Sequence, residues 1–160
     1  PASRPAGPVR LATSSVRRND GSPASRLKSL SYLDNVLARR EARAAGADEA
    51  LMLNSGGMLA CAGAANLFWL EQGALLTPAL ACGVLDGVLR GALIARAAAQ
   101  GLTVAEVVAG PEALEAASAV FLTNSLIGLW PVRRIENRSY TIGQTTRKIQ
   151  QAIRDAGCVA

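Results

Sequence analysis

Between Glu49 and Pro78 the chain alternates short apolar runs with glycine-bearing turns, which limits its folds more than any other feature. Glu49–Asn54 and Met58–Ala62 read as strands joined by the turn Ser55-Gly56-Gly57. Asn66–Leu70 and Ala74–Thr77 read as a second hairpin around Glu71-Gln72-Gly73, and Pro78 ends it. Leu67, Phe68 and Trp69 form a run too apolar on both faces to be solvated on either, so burial is expected there. Hairpins mixed with separated helices point to an α+β fold rather than a regular βαβ sheet.

The remaining elements are punctuated by glycine and proline. Residues 1–9 are rich in Pro, Ala and Arg and read as a linker or tail. Val9–Val16 reads as a strand and Asn19–Ser25 as a turn cluster. A helix is expected after Lys28, with Leu33, Val36, Leu37 and Ala44 at helical spacing and Gly46 as its stop. Gly83–Gly87 reads as a loop entering a helix over 88–100, stopped by Gly101. Thr103–Val108 reads as a strand, and Pro111 opens a short helix to Ala117. Val120–Thr123 reads as a strand ending in the polar Thr123-Asn124-Ser125, and Gln144–Asp155 as a closing amphipathic helix.

Composition removes several function classes. Half of the 160 residues are apolar, enough for one compact domain with a real core. The absence of histidine excludes Ser-His-Asp and Cys-His catalysis and every His-containing metal site within this chain. Cys61, Cys82 and Cys158 are odd in number and lack metal spacing, so no metal site or disulfide framework is expected; a reducing, cytoplasmic setting fits. The net charge is +5, and residues 1–28 account for the excess through Arg4, Arg10, Arg17, Arg18, Arg26 and Lys28 against Asp20. That stretch has no aromatic residue, which argues against nucleic acid and for a small anionic ligand or cofactor. The Met58–Leu70 run is too short and too interrupted to span a membrane. The chain begins with Pro rather than Met and reads as a fragment or processed chain.

Taken singly, the polar features carry little. A lone lysine before a helix is usually a solvated charge. A glycine pair before a helix is usually punctuation, and a polar tripeptide after a strand is usually a cap. Their order is what is specific. Lys28-Ser-Leu-Ser-Tyr32, Gly46-Ala-Asp-Glu-Ala, Ala64-Ala-Asn66-Leu-Phe68-Trp, Thr77-Pro, Gly83-Val-Leu-Asp-Gly87-Val-Leu-Arg90, Phe121-Leu-Thr-Asn-Ser125 and Pro131-Val132 follow one another along the chain. This order strongly resembles the class IV aminotransferase family, the fold-type IV pyridoxal-phosphate (PLP) enzymes, over residues 9–155.

The resemblance implies a fold-type IV large domain over 10–157, with a hairpin-rich sheet or barrel and flanking helices. It also implies PLP as cofactor, an amino-bearing small-molecule substrate, a small N-terminal domain outside this chain, and a homodimer. By motif position Lys28 matches the lysine that holds PLP covalently, an amine nucleophile that later serves as a general base. Tyr32 matches a tyrosine near the phenolic oxygen of the cofactor. Gly87, Val88 and Leu89 would offer backbone N–H groups to its phosphate at a helix start. Asn124 and Ser125 would meet that phosphate from the other side, with Ser125 as the capping hydroxyl.

One departure stands out. The glutamate that pairs with the pyridine nitrogen in this family lies five residues before the motif asparagine, and here that position is Cys61. A thiol supports a protonated ring poorly, so the electron sink should be weak and transamination should suffer most. The Ala64–Trp69 string and this departure favour an aminodeoxychorismate-lyase type of elimination, giving 4-aminobenzoate and pyruvate. A branched-chain or D-amino-acid aminotransferase is the second reading, and a degenerate non-catalytic member the third.

Overall fold

The computed structural model describes residues 7–155. It contains nine strands: β1 Val9–Thr13, β2 Glu49–Leu53, β3 Leu59–Ala62, β4 Asn66–Glu71, β5 Ala74–Pro78, β6 Val104–Val107, β7 Ala119–Asn124, β8 Gly128–Ile135 and β9 Arg138–Ser139. The α-helices are α1 Leu33–Ala44, α2 Val88–Ala99, α3 Ala113–Ala116 and α4 Gln144–Asp155.

Six strands close into a barrel, each paired to the next in the order β1, β2, β3, β4, β7, β8 and back to β1. The seam between β3 and β4 is made at one register pair, Cys61 opposite Asn66. Strands β5 and β6 extend the sheet beyond β4, and β9 pairs with β8. Both expected hairpins are present. Gln72 and Gly73 have φ of 48° and 82°, and Glu71 pairs with Ala74 across them, as a two-residue hairpin requires.

Leu11, Leu51, Leu59, Leu67, Trp69, Val120, Leu122 and Val132 belong to the largest buried cluster. Two further clusters lie under helices, because strand side chains alternate between faces. In one, Ala38 and Ala42 of α1 meet Ala50, Met52, Ala60 and Cys61. In the other, Leu89 and Leu93 of α2 meet Phe68 and Phe121, whose stacked rings lie 5.5 Å apart between paired positions of β4 and β7. Leu67, Phe68 and Trp69 are all fully buried, as their pattern requires.

Three features differ from the sequence reading. The expected first strand stops at Thr13, three residues early. In α1 the buried positions are Asn35, Ala38 and Ala42, while Leu33, Val36 and Leu37 face outward. Small side chains let the helix backbone approach the sheet, so the larger apolar residues lie on the other face. Finally, β8 has no counterpart in the sequence reading, because Pro131 and the adjacent Arg133-Arg134 disguise it. Pro131 is tolerated where the ladder to β1 begins only at Val132.

A carboxylate pins α1 to the end of β1. Glu41 accepts hydrogen bonds from the Ser14 hydroxyl at 2.6 Å, the Ser15 N–H at 2.8 Å and the Ser15 hydroxyl at 2.6 Å. These bonds, those from the serine side chains first, hold its carboxyl down at about 2, below the ordinary value of 4.5. A depressed carboxylate stabilises the fold above its ordinary value and loses that contribution as pH falls through the folded value. Glu41→Gln should therefore melt below the native protein at pH 7, with the gap shrinking between about pH 4.5 and 2. Thermal melts of both proteins across that range check this; a gap that does not change with pH would contradict it.

Candidate cofactor site

The segment from Cys61 to Asn66, which contains Cys61 itself, touches three more of the sequence-selected residues, Tyr32, Gly87 and Asn124. The Tyr32 hydroxyl donates to the Gly63 carbonyl at 2.5 Å, and the Asn35 amide donates to the same oxygen at 2.9 Å. The start of α1 is thereby fixed beside the end of β3. Gly63 is required there: a Cβ would come within 2.5 Å of Arg39 Cγ and 2.6 Å of Glu49 Oε1. Buried Glu49 forms an ion pair with Arg39 at 3.2 Å, and burial pushes the Glu49 carboxyl up. Desolvation, followed by Cys61 and Glu49, likewise pushes the Tyr32 phenol up.

Asn66 holds the other side. Its amide donates to the Leu85 carbonyl at 2.8 Å, which draws the loop before α2 against the barrel. A Cβ on Gly87 would collide with the Asn66 side-chain oxygen, so a larger residue at the helix entry would displace the Asn66 side chain. Gly87 is the N-cap of α2 and no side chain caps the helix, leaving the N–H groups at its start without an intrahelical partner. Arg90 steadies this end from beneath. It is buried, pairs with Glu106 at 2.6 Å and Asp86 at 3.4 Å, and donates to the Pro78 carbonyl at 3.2 Å.

Thr123 pairs with Asn66 across β4 and β7. Its hydroxyl is buried and has no hydrogen-bond partner among the described residues. Thr123 lies two residues beyond Phe121, which packs in the cluster holding Leu89, so strand alternation puts Thr123 on the α2 side. Asn124 is committed to structure: its amide donates to Ala64 at 2.8 Å and its carbonyl oxygen caps Leu126 and Ile127. Ser125 follows as the exposed first residue of the turn, and Val88 is exposed while Leu89 is buried.

Lys28 lies on the exposed stretch four residues before Tyr32, with no hydrogen bond or ion pair to any described residue. That stretch is anchored by a residue to which the sequence assigned no role. Arg18 donates to the Gly83 carbonyl at 2.9 Å, to the Asn35 side-chain oxygen at 3.0 Å, and to the Ser25 carbonyl three residues before Lys28. Its three contacts tie the lysine loop, α1 and the loop before α2 into one frame. Gly83 accepts this approach in a left-handed conformation, φ 78°.

Cys61 is buried on the α1 side of the barrel, opposite Met52 and Asn66 in the two ladders. Burial pushes its thiol up to about 11; Arg18 opposes that shift only in part. The sequence offered no positive charge near this cysteine, and the fold brings one from the loop after β1. Among the described residues no group of His, Cys, Asp or Glu could hold a metal. Cys82 is also a buried free thiol, and Cys158 lies outside the described residues.

The residues present fit a phosphate-bearing cofactor. An uncapped helix start, a glycine packed against the Asn66 side chain and an orphaned buried hydroxyl come together, with the Lys28 amine left free. Asn66, Thr123, Arg18 and Gly63 were absent from the sequence-selected set. For Asn66 and Thr123 a signal existed, since both lie in the quoted motif strings; for Arg18 and Gly63 the signal is only three-dimensional.

Comparison with known proteins agrees with this fold. The chain is 35% identical over 138 residues to the aminodeoxychorismate lyase of Bacillus subtilis, covering 85% of this chain and 47% of that protein. A crystal structure of a branched-chain aminotransferase from Thermoproteus uzoniensis with norvaline superposes with a TM-score of 0.91 at 32% identity, over 95% of this chain and 52% of that one. The branched-chain aminotransferase of Thermobaculum terrenum in its PLP form gives a TM-score of 0.89 at 28% identity, over 94% and 51%. The chain thus spans about half the length of the relatives it matches. The family model described as amino-transferase class IV matches residues 1–135, and with the barrel and site above, this chain belongs to the class IV aminotransferase family of PLP-dependent enzymes.

Proposed function

We propose that this chain is the cofactor-holding part of an enzyme that eliminates pyruvate from an aminodeoxychorismate-like substrate to give 4-aminobenzoate. The observation that carries the reading is Cys61, a buried thiol raised to about 11 where the family pattern calls for a carboxylate. Bound in this site, PLP supplies an electron sink for the carbon beside the substrate nitrogen. Lys28 supplies the amine that holds the cofactor and then moves a proton at that carbon. The backbone N–H groups at the α2 start, with Ser125, hold the phosphate. A neutral thiol at position 61 does not favour a protonated ring nitrogen. Elimination that ends in an aromatic product draws driving force from that product and tolerates the weaker sink.

An aminotransferase acting on branched-chain or D-amino acids is the second reading, favoured by the likeness to the Thermoproteus and Thermobaculum enzymes. The two are separated by incubating the full-length protein with each substrate class. Formation of 4-aminobenzoate supports the first, and keto-acid formation from a branched-chain or D-amino acid without it supports the second. Cofactor binding without either product would support the non-catalytic reading.

The partners follow the same reading. Leu30, Leu33, Val36 and Leu37 are exposed together on and before α1, and Leu30 is fully so. Such a stripe beside the site supports cover by the rest of a longer protein and by a second copy. Among the described residues no helix is long and apolar enough to cross a membrane.

Ser125→Ala should weaken PLP binding by about 1–2 kcal/mol, as for loss of a hydrogen bond to a charged group. Titration of the apo protein with PLP, with inorganic phosphate as competitor, measures this. Unchanged affinity would remove Ser125 from the phosphate site.

A further inference from the structure

Arg10, Arg133, Arg134 and Ser139, none of them assigned to the cofactor, line one concavity on neighbouring strands of the sheet. Arg10 of β1 pairs with Arg134 of β8, and Arg134 pairs with Ser139 of β9, so these residues form one row across three neighbouring strands. With Arg133 they line an open concavity of about 300 Å³. Like charges opposite each other on adjacent strands destabilise a sheet. None of the three arginines forms an ion pair with a described residue.

The carboxylates near this row accept backbone N–H groups and form no ion pair with its guanidinium groups. Asp48 accepts the backbone N–H of Arg10 at 2.7 Å, and Glu136 accepts that of Thr13 at 2.6 Å. Arg134 spends one donor, Nε, on the Glu136 carbonyl at 2.7 Å, which aims its guanidinium without neutralising it. Arg138 is placed differently, over the Tyr140 ring at 5.6 Å. Three guanidinium groups with unpaired charge therefore share one concavity, with the Ser139 hydroxyl as a further donor.

We infer that this cavity binds a small phosphate-bearing anion, a phosphate ester or diphosphate, distinct from the cofactor. Guanidinium forks from three positions match the several oxygens of a tetrahedral phosphate better than the two of a planar carboxylate. The volume lies at the small end of ligand clefts, and no aromatic residue lines it for base stacking. A metabolite-sized anion fits; a nucleic-acid strand does not. The site shares no residue with the candidate cofactor site, so it stands or falls independently of the proposed reaction.

The test is calorimetric titration of the full-length protein with inorganic pyrophosphate, with citrate as a carboxylate comparator. Pyrophosphate should bind, and Arg10→Ala and Arg134→Ala should each weaken it about tenfold or more, the usual scale for losing a charged hydrogen bond. Arg134→Lys keeps the charge but not the fork and should fall between. Ser125→Ala should leave this binding unchanged, which separates it from any phosphate held at α2. Equal binding to the arginine variants would overturn the proposal. So would preference for citrate, or no binding because another part of the full-length chain already fills the cavity.

Discussion

Cys61→Glu should raise the rate at which bound PLP is converted to its amine form by an ordinary amino acid, by about tenfold or more. Each factor of ten is worth about 1.4 kcal/mol in the barrier. The reason lies in the surroundings of position 61. The native thiol is buried, raised to about 11, and stays neutral at physiological pH. A neutral thiol lends nothing to a protonated ring nitrogen, whereas a carboxylate there would stabilise it. The side chain sits at the β3–β4 seam in the cluster that holds Ala38, Ala60 and Met52. Cys61→Gln serves as the volume control, since it adds bulk without charge. Single-turnover absorbance of the full-length PLP-loaded protein measures the conversion. Fast conversion by the native protein, or equal gains from Glu and Gln, would refute this role for Cys61 and move the assignment to an aminotransferase.

Lys28→Ala should abolish covalent attachment of PLP. Borohydride treatment of the native protein should fix the cofactor on Lys28 and on no other residue, as peptide mass mapping would show. The lysine is exposed, and no described side chain competes for its amine. The variant should keep its fold, because Lys28 makes no bond to a described residue; melting should stay within about 0.5 kcal/mol of native, as for surface substitutions. Arg18→Ala makes a useful contrast. It removes three anchoring bonds around the lysine loop and should slow attachment while leaving the label on Lys28. Label on a different residue, or undiminished labelling of Lys28→Ala, would sink the assignment.

Much of this fold was legible in the linear chain because it rests on local chemistry. Gly73 and Gly101 sit at φ of 82° and 78°, and each marks a turn or helix end that few other residues adopt without strain. The Leu67–Trp69 run announced its burial because no solvated face could accept it. The motif order likewise singled out the candidate lysine, the candidate phosphate-binding helix start and the cysteine where the family pattern has a carboxylate, since each is a residue identity at a set spacing.

Tertiary structure decided whatever depends on residues far apart in the chain. Which face of α1 is buried turned on how closely Ala38 and Ala42 let the helix approach β2, not on where its larger apolar residues lie. Strand β8 gains its place from pairing with β7 and β1, which outweighs the proline and paired arginines that argue against a strand. The closure of the barrel at Cys61 and Asn66 is a matter of register, and register emerges only when all six strands are assembled. That same closure brings Thr123 beside Asn66, Arg18 toward Cys61, and Arg10 opposite Arg134. A sequence states which groups are available; only the folded ladders set which of them face one another, because strand pairing joins positions that no local spacing relates.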